Sequence, residues 1–185
     1  MFTGSFFSLA QLAGYAALAI GVTAFLQKND RRLTLLVAMV SLMYILHFSL
    51  LGNWPAAGCS VVSCVRNLAA LKTRSLGWMA FFIVANVAVG ATAANDAAGW
   101  IPAVASGLAT VAVFRMSGIA MRLVLLSCTL LWLVNNILCG SIGGTVLECF
   151  IGTANLTTIA RLAWAKRKAA LTPPLALDRE QEGAE

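Results

Sequence analysis

Hydrophobic residues along the chain occur in seven long blocks, separated by short segments that are charged or rich in glycine and proline. Polar residues do not alternate with apolar ones inside the blocks, as they would in the strands of a membrane barrel. A helix of about 20 residues spans the roughly 30 Å hydrocarbon core of a bilayer. The pattern therefore predicts an all-α membrane protein of seven transmembrane helices. Their expected ranges are 6–26, 33–51, 54–72, 76–94, 98–114, 121–139 and 142–164.

The composition supports the same fold class. Of the 185 residues, 60% are hydrophobic and 11% are charged, whereas soluble domains average about 45–50% apolar and about 25% charged residues. A water-soluble fold could not bury that much apolar surface. We therefore expect almost no soluble domain, and membrane lipid as the main surrounding partner.

The positive charges predict how the helices are oriented. Lys and Arg near the ends of membrane spans are retained in the cytoplasm during insertion. They follow the first, third, fifth and seventh blocks, and the other loops contain neither residue. The sequence therefore predicts an outside amino terminus and a cytoplasmic carboxyl terminus. The net charge of +6 is explained by this orientation, so no nucleic-acid partner is expected.

An internal repeat relates the two halves of the chain. In a register shifted by 88 residues, Gly52 matches Gly140 and Asn67 matches Asn155. One unpaired helix separates the halves, so both are expected to cross the membrane in the same sense, as parallel repeats. The predicted units are a first triple-helix bundle (1–75), a linker helix (76–97), a second triple-helix bundle (98–168) and a disordered cytoplasmic tail (169–185).

Polar residues inside the apolar blocks are the candidate functional residues, because a polar group in hydrocarbon is costly. The candidate substrate-binding residues form three pairs related by the repeat: Asn67 and Asn155, Tyr44 and Trp132, His47 and Asn135. An aromatic ring beside convergent hydrogen-bonding groups suits a small polar solute. The same side chains would otherwise serve as interhelical hydrogen bonds and packing. The sequence leaves both interpretations open.

Arg66 and Glu148 are charged residues predicted to lie within the third and seventh spans. An isolated charge there costs at least about 2.5 kcal/mol, so each needs a partner or water. Two interpretations remain open. The first is a structural one, either an ion pair between them or an Arg66 side chain that extends to the cytoplasmic interface. The second is a charge-selective pocket or protonatable gate. An arginine next to Asn67 favours an anionic or zwitterionic solute over a neutral sugar.

The sequence provides little basis for enzyme, metal or cofactor chemistry. His47 is the sole histidine and has no neighbouring Cys or carboxylate cluster, so no metal site is expected. It is either an interhelical hydrogen-bonding group or a proton-coupling group. No nucleophile and base are suitably spaced. We therefore predict a protein that is not an enzyme and that has no cofactor.

Several short motifs resemble one bacterial family. They are Arg31-Arg32-Leu33, His47-Phe48, Leu51-Gly52, Arg66-Asn67, Lys72-Thr73-Arg74-Ser75-Leu76 and Gly140-Ser141-Ile142-Gly143-Gly144-Thr145. These motifs resemble those of the YgjV-type bacterial inner membrane proteins, and the likeness extends to about Lys168. The resemblance implies a multi-pass protein of the bacterial inner (plasma) membrane, but no particular chemistry.

The arrangement of three, one and three helices, with paired asparagines, also resembles the SWEET and PQ-loop transporters. That resemblance implies two triple-helix bundles around a midplane pocket that faces an asparagine from the third helix of each bundle. The chain lacks the Pro-Gln pair of that superfamily, although Pro102 and its counterpart Gly14 are candidate bending points. We therefore predict a small-solute transporter. The alternative is a non-transporting accessory or assembly protein of the inner membrane, and the oligomeric state stays open.

Overall fold

The fold is all-helical, as predicted. The computed structural model describes residues 6–25 and 30–171, and no strand occurs in these ranges. The helices are α1 (Leu9–Phe25), α2 (Asp30–Leu50), α3 (Trp54–Ala70), α4 (Leu76–Ala93), α5 (Ile101–Arg115), α6 (Gly118–Leu138) and α7 (Ile142–Leu171), with a 3-10 turn at Ala98–Trp100 before α5. The predicted number of seven helices is thus confirmed.

Some helices are longer than the apolar blocks that predicted them. Helices α2 and α6 begin at Asp30 and Gly118, and α7 continues to Leu171. Hydropathy marks the part of a helix that lies in lipid, whereas alanine, lysine and arginine favour helix beyond it. The predicted disordered tail starts at 169, where α7 still continues, and the rest of it lies outside the described residues.

In the part of the chain that the structure describes, three helical segments are long and apolar enough to cross a membrane by length and composition alone. They are Leu76–Ala93, Ala98–Arg115 and Gly118–Leu138, and two shorter apolar segments are Leu9–Ala24 and Thr34–Leu50. Large apolar side chains lie exposed on the outer surface of the bundle, for example Val84 and Phe81 on α4. Such a surface is suited to lipid rather than water.

Six of the helices form a closed ring. Each helix packs against its sequence neighbours, and α1 also packs against α7 while α3 packs against α5. The ring order is therefore α1, α2, α3, α5, α6, α7. Helix α4 packs against α3 and α5 through one face that contains Phe82, Asn86 and Gly90. A hydrophobic core that includes Tyr44 and Phe48 fills part of the ring interior.

Three connections lie together at one end of the bundle, which we call the hairpin end: residues 51–53, 94–97 and 139–141. Gly52 and Gly140 have φ values of 73° and 70°, in the left-handed region that favours glycine. The opposite end, which we call the basic end, contains Lys72 and Arg74 after α3 and Arg115 at the end of α5.

Helices α1 and α7 approach each other closely enough for their backbones to touch. A Cβ atom added at Gly143 would lie 2.5 Å from the carbonyl carbon of Gly14. A Cβ atom at Gly14 would lie 2.8 Å from the ring of His47. Glycine is therefore required at this crossing, as is common where membrane helices pack tightly.

Gly143→Ala is expected to destabilise the protein, because the new methyl group would collide with the backbone of α1. Overpacking of this kind costs about 1–3 kcal/mol. The control is Gly107→Ala in α5, where an added Cβ meets nothing within 4 Å. Thermal unfolding of the purified protein in detergent should show a lower midpoint for Gly143→Ala only. Equal midpoints for the two variants would contradict the close crossing.

Candidate functional site

His47 connects three parts of the bundle at the hairpin end. It lies in the last turn of α2 and is fully buried. Its Nδ1 is 2.6 Å from the carbonyl oxygen of Ala10 in α1, and its Nε2 is 2.7 Å from Oγ of Ser141. A carbonyl only accepts, so Nδ1 carries the proton, and a neutral ring accepts the Ser141 hydroxyl proton at Nε2. Ser141 also accepts a hydrogen bond from the N–H of Gly144 at 3.1 Å.

Asn135 occupies the corresponding position in the last turn of α6. Its Oδ1 accepts a hydrogen bond of 3.0 Å from Nδ2 of Asn53. The orientation of Asn53 is determined by the N–H of Ala56, which donates to Asn53 Oδ1 at 3.2 Å. Asn135 must therefore present its oxygen to Asn53, which leaves its Nδ2 buried without a hydrogen-bond partner.

Gln11 is a polar contact that sequence reasoning missed. Its Nε2 donates to the carbonyl of Gly140 at 2.7 Å, and its Oε1 accepts from the N–H of Ile142 at 3.0 Å. Both bonds satisfy backbone groups at the start of α7. The available signal was a lone glutamine in the first apolar block, where a polar side chain needs a partner in another helix.

Tyr44 and Trp132 lie one turn further from the hairpin end than His47 and Asn135. Both rings pack against Phe48, with centroid distances of 5.1 Å for Tyr44 and 5.8 Å for Trp132. The Phe48 and Trp132 rings are nearly parallel, at 23°. This aromatic layer joins α2 to α6 across the ring. The Tyr44 hydroxyl is buried there without a hydrogen-bond partner.

Arg66 bonds to α5 from its position near the end of α3. Its Nη1 donates to the carbonyl of Ser106 at 3.0 Å and to Oγ1 of Thr110 at 3.2 Å. Its Nη2 donates to Oδ1 of Asn67 at 3.4 Å, and its Nε has no partner. The guanidinium is therefore buried and only partly satisfied.

Glu148 is buried in α7, with 6% of its surface exposed. Within residues 6–25 and 30–171, Arg66 directs its hydrogen bonds to α5 and its own helix, and none reaches Glu148. Cys128 on α6 and Tyr44 on α2 are buried as well, with 4% and 8% of their surfaces exposed. These four residues thus share the interior of the ring without a direct bond between the two charged groups.

Asn67 and Asn155 have separate hydrogen-bond partners. Asn67 lies in the last turn of α3 beside Arg66, and Oδ1 of Asn155 accepts a bond of 3.2 Å from Arg122 in α6. Both amides lie towards the basic end. The six predicted solute-binding residues therefore occupy three levels: His47 and Asn135 at the hairpin end, Tyr44 and Trp132 in the aromatic layer, and Asn67 and Asn155 towards the basic end.

A cavity of about 310 Å³ opens at the hairpin end. Asn135 and Asn53 line it from α6 and the α2–α3 connection, and Asp96 lines it from the α4–α5 connection. Asp96 accepts a hydrogen bond of 2.8 Å from the N–H of Gly99. Among the described residues, no three His, Cys, Asp or Glu side chains cluster as metal ligands. The cavity thus contains hydrogen-bonding groups and one carboxylate.

Comparison with known proteins identifies the family. A family described as "Bacterial inner membrane protein" (Imp-YgjV) matches residues 8–166. The chain is 34% identical over 165 residues to the inner membrane protein YgjV of Escherichia coli strain K12, and the match covers 89% of this chain and 90% of that protein. No solved structure matches the chain. The predicted resemblance to the YgjV-type proteins is confirmed, and the chain belongs to the YgjV family of bacterial inner membrane proteins.

Proposed function

We propose that the protein is a small-solute transporter in which two parallel three-helix bundles move relative to each other around the ring interior. The observation that carries this proposal is Glu148, a buried carboxylate that makes no direct bond to the buried Arg66. A charge inside a membrane protein normally pairs or lines a pathway for ions or solutes. Two buried charges that do not pair with each other cost stability, and a role in a solute pathway would account for that cost.

The helix boundaries support the two-bundle organisation. Helices α2 and α6 both contain 21 residues, and their bounds agree with the 88-residue register of the sequence repeat. In that register the third helix of each bundle, α3 or α7, begins at equivalent positions, Trp54 and Ile142. The packing of α1 on α7 and of α3 on α5 then joins the bundles at two equivalent interfaces.

Two equivalent hydrogen bonds between the bundles support a gate at the hairpin end. His47 bonds to Ser141, and Asn135 bonds to Asn53. Each bond joins the second helix of one bundle, α2 or α6, to the residue just before the third helix of the other bundle. The two bonds are equivalent, because the 88-residue register matches His47 with Asn135 and Asn53 with Ser141. A few polar contacts of this type, each worth about 1 kcal/mol, hold two surfaces together reversibly.

The orientation belongs to the same proposal. The basic end carries Lys72, Arg74 and Arg115, and positive residues at the ends of spans favour the cytoplasm. The hairpin end then faces the outside, with the amino terminus there and the carboxyl terminus in the cytoplasm. The two hairpin bonds would close the outer entrance of the pathway, while Arg66 binds α5 nearer the cytoplasmic side.

Arg66 also supports an anionic or zwitterionic solute. Its Nε lacks a partner, and its Nη2 makes only a long bond of 3.4 Å to Asn67. A carboxylate is the natural ligand of such a guanidinium, because charged hydrogen bonds are about twice as strong as neutral ones. Glu148 then serves as the protonatable group of the pathway.

Solute binding should be detectable with glycine, L-glutamate and glucose as zwitterionic, anionic and neutral probes. A bound solute at 100 times its dissociation constant stabilises a protein by about 2.7 kcal/mol. We expect glycine or glutamate to raise the thermal unfolding midpoint, glucose to leave it unchanged, and Arg66→Gln to reduce the shift. Uptake of the radiolabelled stabilising probe into proteoliposomes tests transport itself. The opposite result is an unchanged unfolding midpoint with all three probes, together with fluxes equal to those of protein-free vesicles. That result would favour an accessory or assembly role.

The hairpin gate can be tested without a solute, by thiol labelling of Cys128. This thiol is 4% exposed and lies in the middle of α6. In a variant that keeps Cys128 as its single cysteine, a water-soluble maleimide should react slowly. Adding Ser141→Ala removes one hydrogen bond of the gate, and the loss of about 1 kcal/mol should accelerate labelling about fivefold.

The matched control is Ser127→Ala, whose hydroxyl bonds only to the carbonyl of Leu123 in its own helix. It should leave the rate of Cys128 labelling unchanged. Fully denatured protein provides the maximal rate. If Cys128 reacts equally slowly in all folded variants, the hairpin bonds do not control access to the interior.

A further inference from the structure

We propose that the cavity at the hairpin end binds the ammonium group of a small solute that also carries an oxygen acceptor, such as an amino-acid-like zwitterion. We call this site the hairpin cavity, with Asn53, Trp54, Asp96 and Asn135 as its functional residues. The inference that this cavity is the first binding position of the pathway rests on the proposed transport function. Binding to the cavity can be measured without transport.

The acceptor of the solute is recognised by Asn135. Its side chain lines the cavity and is only 4% exposed. The hydrogen bonds from the N–H of Ala56 to Asn53 and from Asn53 to Asn135 determine the orientation of both amides. Nδ2 of Asn135 is therefore a donor without a partner. A buried donor of this kind costs about 1–3 kcal/mol. A small shift of the Asn135 side chain towards the cavity would let a solute oxygen accept from Nδ2 and recover that cost.

The charge of the solute is selected by Asp96. It is the one charged residue among the described residues that line the cavity, and one of its oxygens already accepts the N–H of Gly99. The second carboxylate oxygen is available for a cation. Within residues 6–25 and 30–171, no Lys or Arg lines the cavity, so a free anion would meet the negative charge of Asp96 without an opposing cation from these residues. The electrostatics therefore favour an ammonium group and disfavour a simple carboxylate.

Trp54 and the size of the cavity support a small organic cation rather than a metal ion. Trp54 lines the cavity with 63% of its surface exposed. An indole face attracts alkylammonium groups with about 0.5–1 kcal/mol at exposed sites. The volume of about 310 Å³ is at the lower end of the range of small-molecule pockets, roughly 300–1,000 Å³. A solute of a few heavy atoms fits such a space.

Three probes test separately the recognition of the cation by Asp96 and of the oxygen acceptor by Asn135. Glycine betaine has an ammonium group and a carboxylate, tetramethylammonium has only the cation, and acetate has only the acceptor. Binding is measured by isothermal titration of the full chain in maltoside detergent, which contains no choline group. We expect glycine betaine to bind most tightly, tetramethylammonium more weakly, and acetate not measurably. Acetate binding as tightly as tetramethylammonium would overturn the proposal.

Two substitutions assign the recognition to residues. Asp96→Asn should weaken glycine betaine and tetramethylammonium binding by about tenfold each, because it removes the charge. Asn135→Asp keeps the oxygen that accepts from Asn53 and replaces the unpartnered donor with an acceptor. It should weaken glycine betaine by about tenfold and leave tetramethylammonium at least as tightly bound.

The control for both substitutions is Thr157→Ala, since that hydroxyl bonds only to the carbonyl of Ala154 in its own helix. It should leave the affinities of all three probes unchanged. Unchanged affinities in Asp96→Asn and Asn135→Asp would show that the probes bind elsewhere and would overturn the proposal.

The ammonium group could also belong to a phosphatidylethanolamine headgroup. Glycine betaine titrations in nanodiscs with and without this lipid distinguish the two sources. Equal affinities support a free solute, whereas loss of binding in the lipid-containing nanodiscs identifies the headgroup as the ligand and overturns the solute site. Tight binding of glycine betaine without its uptake into proteoliposomes would reject the transport function but not this site. Uptake of glycine betaine with an unchanged KM in Asp96→Asn would reject this site but not the transport function.

Discussion

A polar group inside the hydrocarbon has to find its hydrogen-bond partner within the protein, and this constraint organises the whole bundle. Many hydroxyl groups satisfy it locally by donating to the carbonyl of the preceding turn, as Ser41 and Thr110 do. Side chains that reach a different helix have a larger effect. Gln11, His47 and Arg66 each bond across a helix boundary and so determine which helices are neighbours in the ring.

Several polar atoms are exceptions to this rule. Among the described residues, the Tyr44 hydroxyl, Arg66 Nε, Asn135 Nδ2 and the Oδ1 atoms of Asn86 and Asn136 are buried without partners. The first three lie in the ring interior or beside the hairpin cavity, whereas Asn86 lies on the packed face of α4. A polar group left unsatisfied in one arrangement of the helices gains from a second arrangement, or from a ligand, that satisfies it. Tyr44, Arg66 and Asn135 are therefore the residues at which the proposed transport states would differ in hydrogen bonding.

The sequence was sufficient to predict the helices but not the depth at which the candidate residues lie in the bundle. Apolar blocks and charge clusters reflect local preferences, so the number of helices was predicted correctly. The repeat register paired His47 with Asn135, and both lie in the last turns of their helices. It could not show that Asn67 lies in the last turn of α3, because α3 ends at Ala70 before the apolar block does. Contacts such as Gln11 with Gly140 join distant segments, and hydropathy does not encode them.

The glycine crossing of α1 and α7 limits how the two sides of the ring can rearrange. Because the backbones touch at Gly14 and Gly143, neither helix can slide along the other without first separating from it. Rotation about the contact point keeps the surfaces together and is the less costly motion. In the proposed transport cycle, the crossing would therefore be the pivot point of the rotation. Small changes in side-chain volume there would alter the rate at which the two helix arrangements interconvert more than the affinity for the solute.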